Sequence, residues 1–134
     1  MPNITHKTFA DIAKLIGNES YCVRKKVGAI IVKDNNIIAL GLNGGLSGGE
    51  NVCENDRGET LPTVSHAEAN AILRCAKTGA STLGADLYVT LSPCRECAKM
   101  IIQSGIKNVF YSEVYRETLG LEILSNHNVH VTQI

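Results

Sequence analysis

Two short stretches carry residue types that can do chemistry, His66-Ala67-Glu68 and Pro93-Cys94-Arg95-Glu96-Cys97. On a helix, at about 100° per residue, cysteines three apart stand on nearly the same face. In a first turn, unpaired N–H groups and the helix dipole favour thiolate over thiol. Two thiolates so placed can hold zinc at about 2.3 Å each. A C-x-x-C pair alone also fits a redox dithiol, half of a structural zinc site, or two buried cysteines. His66 shifts that balance by offering a neutral third ligand from the first turn of another helix. Around an open helix end, residues i and i+2 can both reach a point beyond the axis. His66 can therefore ligate while Glu68 stands beside the metal without binding it. Three protein ligands leave the fourth tetrahedral position for water, the arrangement of a catalytic site. A structural site would want a fourth Cys or His, for which Cys22, Cys53 and Cys75 are available. For a lone histidine the better reading would be a core residue with satisfied hydrogen bonds.

Periodicity and punctuation give the elements that must position these residues. Ile4, Thr8, Ile12, Leu15 and Ile16 recur at helical spacing, which predicts a helix over 5–17 that stops at Gly17. Residues 27–32 and 36–42 read as two strands, and Lys33-Asp34-Asn35-Asn36 between them is turn chemistry, so a hairpin is expected. Residues 43–64 contain Gly44-Gly45 and Gly48-Gly49 without clear periodicity, a length of loop that is functional or mobile. Ser65 can cap a helix over 66–77, with Gly79 just past its end. Residues 86–90 read as a strand. Ser92 is expected to cap the next helix, with Pro93 at its first position and Gly105 at its end. A strand over 107–111, a helix over 118–125 and a strand over 129–132 complete the pattern. After the hairpin, helix and strand alternate, which predicts one α/β domain over 1–134. Its architecture would be three-layer α/β/α, with helices on both faces of a mixed central sheet of about five strands.

Composition narrows the function classes. The 134 residues suit one compact domain, and 44% hydrophobic content supplies an ordinary core, so a second substantial domain and wholesale disorder are excluded. Lys plus Arg and Asp plus Glu each number 13, for a formal net charge of zero. With no basic excess, four tyrosines, two phenylalanines and no tryptophan, the chain offers little to nucleic acid. No apolar run approaches a membrane span. The start, Met1-Pro2-Asn3-Ile4, has neither a basic cluster nor an apolar run, so no signal peptide is expected and the cytoplasm is the expected compartment. Five cysteines, an odd number, in such a chain argue against a disulfide framework and for metal binding or catalysis.

The paired motifs resemble the zinc-dependent cytidine and deoxycytidylate deaminase superfamily, whose pattern is H-x-E followed by P-C-x-x-C. The likeness covers nearly the whole chain and is nearest to deoxycytidylate (dCMP) deaminases, including the short phage type. Their basic segment before V-G-A is matched by Arg24-Lys25-Lys26-Val27-Gly28-Ala29, and their G-x-N-G-x-x-x-G loop by Gly41 to Gly48. Their aromatic stretch after the fourth strand is matched by Tyr111 and Tyr115-Arg116. The family's loop usually carries a proline where this chain reads Gly45-Leu46-Ser47, a departure that bears on loop stiffness and effector binding.

The resemblance implies a cytidine-deaminase-like fold that hydrolyses dCMP to dUMP and ammonia, with dCTP as an additional substrate. Zinc would be held by His66, Cys94 and Cys97. Catalytic Glu68 would carry a proton from water to N3 of cytosine and then to the departing amino group. Asn43 is expected on the sugar or base and the Ala67 backbone N–H at the base edge; a turn-stabilising role is the plainer reading of Asn43. A neutral protein must concentrate cations locally to hold a nucleotide, and Arg24, Lys26, Tyr115 and Arg116 are the phosphate candidates. Lys25 reads as a solvated surface residue, Cys75 as buried filler, and His127 and His130 as surface residues. Cys22 and Cys53, separated by a flexible loop, give only weak grounds for a second metal site. The resemblance also implies a homo-oligomer, the hexamer favoured, with dCTP and dTTP as effectors acting through the glycine-rich loop. Competing readings are a deaminase of another base or carrier (cytidine, guanine or adenosine in tRNA), a non-catalytic zinc-binding module, and a dithiol redox protein. A binding module would leave Glu68 without a role, and stoichiometric zinc would exclude the dithiol.

Overall fold

In the computed structural model, which describes residues 1–134, Asp34 and Asn35 take positive φ of 51° and 62°. That is the backbone a two-residue turn needs to match the right-handed twist of paired strands, and short polar side chains tolerate it. It joins β1 (Gly28–Lys33) to β2 (Asn36–Leu42), with Lys33 opposite Asn36. The remaining elements are α1 (His6–Gly17), α2 (Ala67–Thr78), β3 (Asp86–Leu91), α3 (Arg95–Gln103), β4 (Asn108–Glu113), α4 (Leu119–Asn126) and β5 (His130–Gln133). The five-stranded sheet runs β2-β1-β3-β4-β5. β1 is antiparallel to both neighbours, whereas β3, β4 and β5 are parallel, their crossovers supplied by α3 and α4.

Strand period decides the layers. Ala29, Ile31, Leu87, Val89 and Val109 face a core shared with Ala71 and Cys75 of α2, Ala98 and Ile101 of α3, and Leu124 of α4. On the opposite face, Ile30, Val32 and Tyr88 pack with Phe9 and Ala13 of α1. Helices thus cover both faces, as the alternating pattern predicts. β1, covered on both sides, is a nearly unbroken apolar run. Burying each of its isoleucines contributes about 1.5–3 kcal/mol.

Both helices that carry the chemistry start later than the sequence predicts. Cys94 is the N-cap residue of α3 and His66 that of α2, both with extended backbone and neither using its side chain as a cap. The serines expected at those caps are engaged elsewhere. Ser65 exchanges backbone hydrogen bonds with Gly44 (2.8 and 3.1 Å). Ser92 donates its N–H to the Glu113 carbonyl (2.9 Å), and its hydroxyl accepts from the Tyr115 N–H (2.7 Å). The two serines therefore tie the chain down immediately before each helix, and the ligand residues occupy the helix mouths.

Residues 43–66 form a folded excursion with bridges Gly44–Ser65 and Glu54–Thr60. Here the structure corrects the cysteine reading, because Cys22 and Cys53 form a disulfide with Cα atoms 5.0 Å apart. An odd count could not disclose it, since Cys75, Cys94 and Cys97 remain free. The excursion brings Cys53 back onto the segment before β1, so the pair forms neither a second metal site nor a fourth ligand. No helix is long and apolar enough to cross a membrane.

Gly41 of β2 lies against the start of α2, where a Cβ would collide with the Ala67 carbonyl and the Ala71 nitrogen. Gly41→Ala is expected to cost about 1–3 kcal/mol through overpacking, read as a lower midpoint in denaturant. An unchanged midpoint would show that α2 is not held against β2 at this point.

Candidate active site

The ends of α2 and α3 meet. His66 Nδ1 lies 3.5 Å from Cys94 Sγ and 3.3 Å from Cys97 Sγ, and the three donor atoms all fall within 4.8 Å of one another. A tetrahedral zinc with bonds of about 2.3 Å to sulfur and 2.0–2.1 Å to nitrogen has S···N edges of roughly 3.6 Å. The two observed S···N separations lie within about 0.3 Å of that figure, so the donor set fits zinc. Cys94 sits at the N-cap and Cys97 in the first turn of α3, and both helix N-termini favour negative charge at this point. Gly120 of α4 backs the Pro93 and Cys94 backbone so closely that a Cβ would not fit.

Electrostatics support the same assignment. A hydrogen bond from Cys97, reinforced by one from His66, lowers Cys94 to about 3, well into the thiolate range. Cys97 is pushed up, first by that bond with Cys94 and then by burial. The pair thus favours one thiolate, and a cation held by both sulfurs would take the place of the remaining proton. His66 is raised by its hydrogen bond with the Cys94 sulfur.

Glu68 is only 4% exposed and does not join the donor set. Burial pushes its carboxyl up to about 7, partly offset by a hydrogen bond from its own backbone N–H and by the His66 charge. A buried carboxyl beside a three-donor cation site is the arrangement for moving protons at a bound substrate.

Above this floor opens a cleft of about 560 Å³, within the range of small-molecule sites. One wall is Arg24, Lys25, Val27 and Asn43; the other is Leu91, Ser92 and the run Glu113 to Arg116; Cys22, Glu54, Thr60 and Val64 line the rest. The structure thus brings Arg24, Asn43, Ala67, Tyr115 and Arg116 together around the metal donors and Glu68. Lys26 is absent from that lining, whereas Lys25, read from sequence as a surface residue, is part of it and pairs with Glu113 at 2.9 Å. The segment before β1 has no regular period, and the contact of Lys25 with Glu113 across the cleft decides which lysine enters it.

Asn43 has a structural task. Its Oδ1 accepts from the Val27 N–H (2.9 Å) and its Nδ2 donates to the Lys25 carbonyl (2.7 Å), pinning the wall that carries the cations. One amide hydrogen and one lone pair remain for the cleft. Arg24 donates to Thr60 Oγ1 (3.3 Å), and the Arg116 guanidinium lies 5.6 Å from the Tyr115 ring centroid, a cation–π contact. Sequence reasoning missed Ser92, Glu54 and Glu113, which belong to no local motif and reach the cleft through register and loop closure. Cys75 is buried as expected, and exposed His127 bonds the Ile123 carbonyl (2.8 Å) away from the cleft.

Comparison with known proteins gives consistent matches. The family described as cytidine and deoxycytidylate deaminase zinc-binding region matches residues 3–113. Deoxycytidylate deaminase of Enterobacteria phage T4 is 38% identical over 149 residues, covering 81% of this chain and 77% of that protein. ComE operon protein 2 of Bacillus subtilis (strain 168) is 42% identical over 126 residues; the match covers 90% of this chain and 66% of that protein. The crystal structure of dCMP deaminase from the cyanophage S-TIM5 in complex with dCMP and dUMP superposes with a TM-score of 0.93. Sequence identity is 43%, with 96% of this chain and 95% of that chain covered.

Removing one sulfur should abolish metal retention while leaving the sheet intact. Zinc measured after gel filtration is expected to fall from about one ion per chain to below about a tenth in Cys97→Ala. Retention near the wild-type level would overturn the three-donor assignment.

Proposed function

The chain belongs to the cytidine and deoxycytidylate deaminase zinc-binding family, and on that premise we propose that it hydrolyses dCMP to dUMP and ammonia. The observation that carries this reading is that one cleft gathers metal donors, a buried carboxyl and cations. His66, Cys94 and the buried Glu68 line the same cleft as Arg24, Lys25 and Arg116, with Cys97 buried behind its lining. A base must reach Glu68 for hydrolysis, and an uncharged nucleoside would leave Arg24 and Arg116 without an anionic partner.

Zinc, when bound by His66, Cys94 and Cys97, supplies a Lewis acid that makes water nucleophilic near neutral pH. Glu68 takes the water proton and delivers it to N3 of cytosine as the oxygen bonds to C4. The same carboxylate then takes the proton of the new C4 hydroxyl and passes it to the amino group, the C4–N bond breaks, and ammonia leaves with uracil as the product. The Ala67 N–H, at the first position of α2 where no intrahelical acceptor exists, binds the base edge. Asn43 turns its remaining donor and acceptor to the sugar or base. Arg24 and Arg116 hold the phosphate, with Tyr115 keeping Arg116 in place; Lys25, in place of Lys26, stands beside them on Glu113.

Residues 1–134 act in this reading as one deaminase domain that also accepts dCTP. It works in the cytoplasm, where nucleotide pools are, and burial of Cys22 and Cys53 to 3% and 2% exposure shields their bond from thiols. The chain assembles into a homo-oligomer, the hexamer favoured, with dCTP and dTTP as effectors at the glycine-rich segment.

Chromatographic product analysis of zinc-loaded protein against dCMP, dCTP, deoxycytidine and cytosine tests the reading. Conversion of dCMP without conversion of deoxycytidine is expected, and equal conversion of both would remove the phosphate site from the proposal. Glu68→Gln should keep its zinc and lose about 10²–10⁴ in turnover; activity near wild type would remove Glu68 as the proton carrier.

A further inference from the structure

Two carboxylates besides Glu68 line the cleft, and they are held in different ways. Glu54 Oε2 accepts from the backbone N–H groups of Val23 (3.0 Å) and Arg24 (3.2 Å), so its charge is engaged in fixing that loop. The carboxylate of Glu113 meets one side chain, Lys25 Nζ at 2.9 Å, and the two are 65% and 54% exposed. A pair so exposed adds little to stability. Its placement is notable because it spans the two walls, Lys25 preceding β1 and Glu113 closing β4. Glu113 does not depend on Lys25 for its position. Its backbone lies opposite Leu91 in the sheet, and its carbonyl accepts from the Ser92 N–H, two residues from Cys94.

We propose that Glu113 is a specificity-determining residue that sets the length of phosphate tail the cleft accepts, favouring a nucleoside monophosphate over a di- or triphosphate. The proposal deepens the cytosine-nucleotide reading above and rests on it. A phosphate monoester carries about −1.5 to −2 charges near neutral pH. Arg24 and Arg116 match that charge while Lys25 stays on Glu113. Each further phosphoryl group adds negative charge and competes for Lys25. Once Lys25 is drawn away, Glu113 faces the tail as a like charge, and like-charge juxtaposition discriminates against the longer tail.

Breaking the pair from each side separates this filter from an ordinary structural ion pair. The experiment measures kcat/KM for dCMP, dCDP and dCTP on zinc-loaded wild type, Glu113→Gln and Lys25→Gln. Where turnover of the longer nucleotides is slow, their displacement of dCMP supplies the ratio. Glu113→Gln is expected to shift the dCTP-to-dCMP preference about tenfold toward dCTP, equivalent to about 1.4 kcal/mol. Lys25→Gln should shift it in the opposite direction, because it leaves the carboxylate and removes its counter-charge. Both shifts should shrink as salt screens them. Zinc content and melting temperature report whether each exposed variant is folded. Ratios that move the same way in both variants, or in neither, overturn the filter while leaving the functional reading in place. A wild type that deaminates deoxycytidine as well as dCMP overturns both.

Discussion

An imidazole and two thiolates can share one divalent ion only if the helices that carry them begin within a few ångströms of each other. Those helices belong to separate crossovers, so their starts must be fixed by the sheet rather than by each other. β2 does this for α2 through the Gly41 approach and the Gly44–Ser65 bridge. β4 does it for α3 through the bonds from Ser92 to Glu113 and Tyr115. α4 completes the support where Gly120 meets the Cys94 backbone. The large core beneath, from Ala29 to Leu124, holds these contacts in register.

The cleft separates two kinds of electrostatics. Its floor is desolvated, so proximity and burial dominate, and Glu68 and Cys97 are both shifted toward their protonated forms there. Its mouth is wet, so the Lys25–Glu113 pair contributes through where its charges stand rather than through strength. Chemistry at the base and recognition of the anionic tail are therefore governed by different dielectric regimes within one cavity.

Much of this was legible in the sequence because it is local. Period-two and helical spacing gave the order of all nine elements, β2 to the residue, and the mixed three-layer sheet. The His66, Glu68, Cys94 and Cys97 constellation was readable because its members lie in two short motifs. The helix starts slipped because a serine before a helix reads as a cap, and only the folded sheet shows Ser65 and Ser92 engaged with other strands. Lys25 against Lys26 turns on a segment with no regular pattern of its own, settled by the contact with Glu113 on a distant strand. The Cys22–Cys53 bond and Glu113 were out of reach, since each depends on segments brought together by the fold.

Ser92 has a mechanical consequence. Through its N–H and hydroxyl it binds the end of β4 and the turn after it, and two residues later the chain reaches Cys94. The strand end that presents Glu113, Tyr115 and Arg116 is thereby geared to the segment that presents a metal ligand. The two ends of the cleft are thus joined by two hydrogen bonds of one serine as well as through the core.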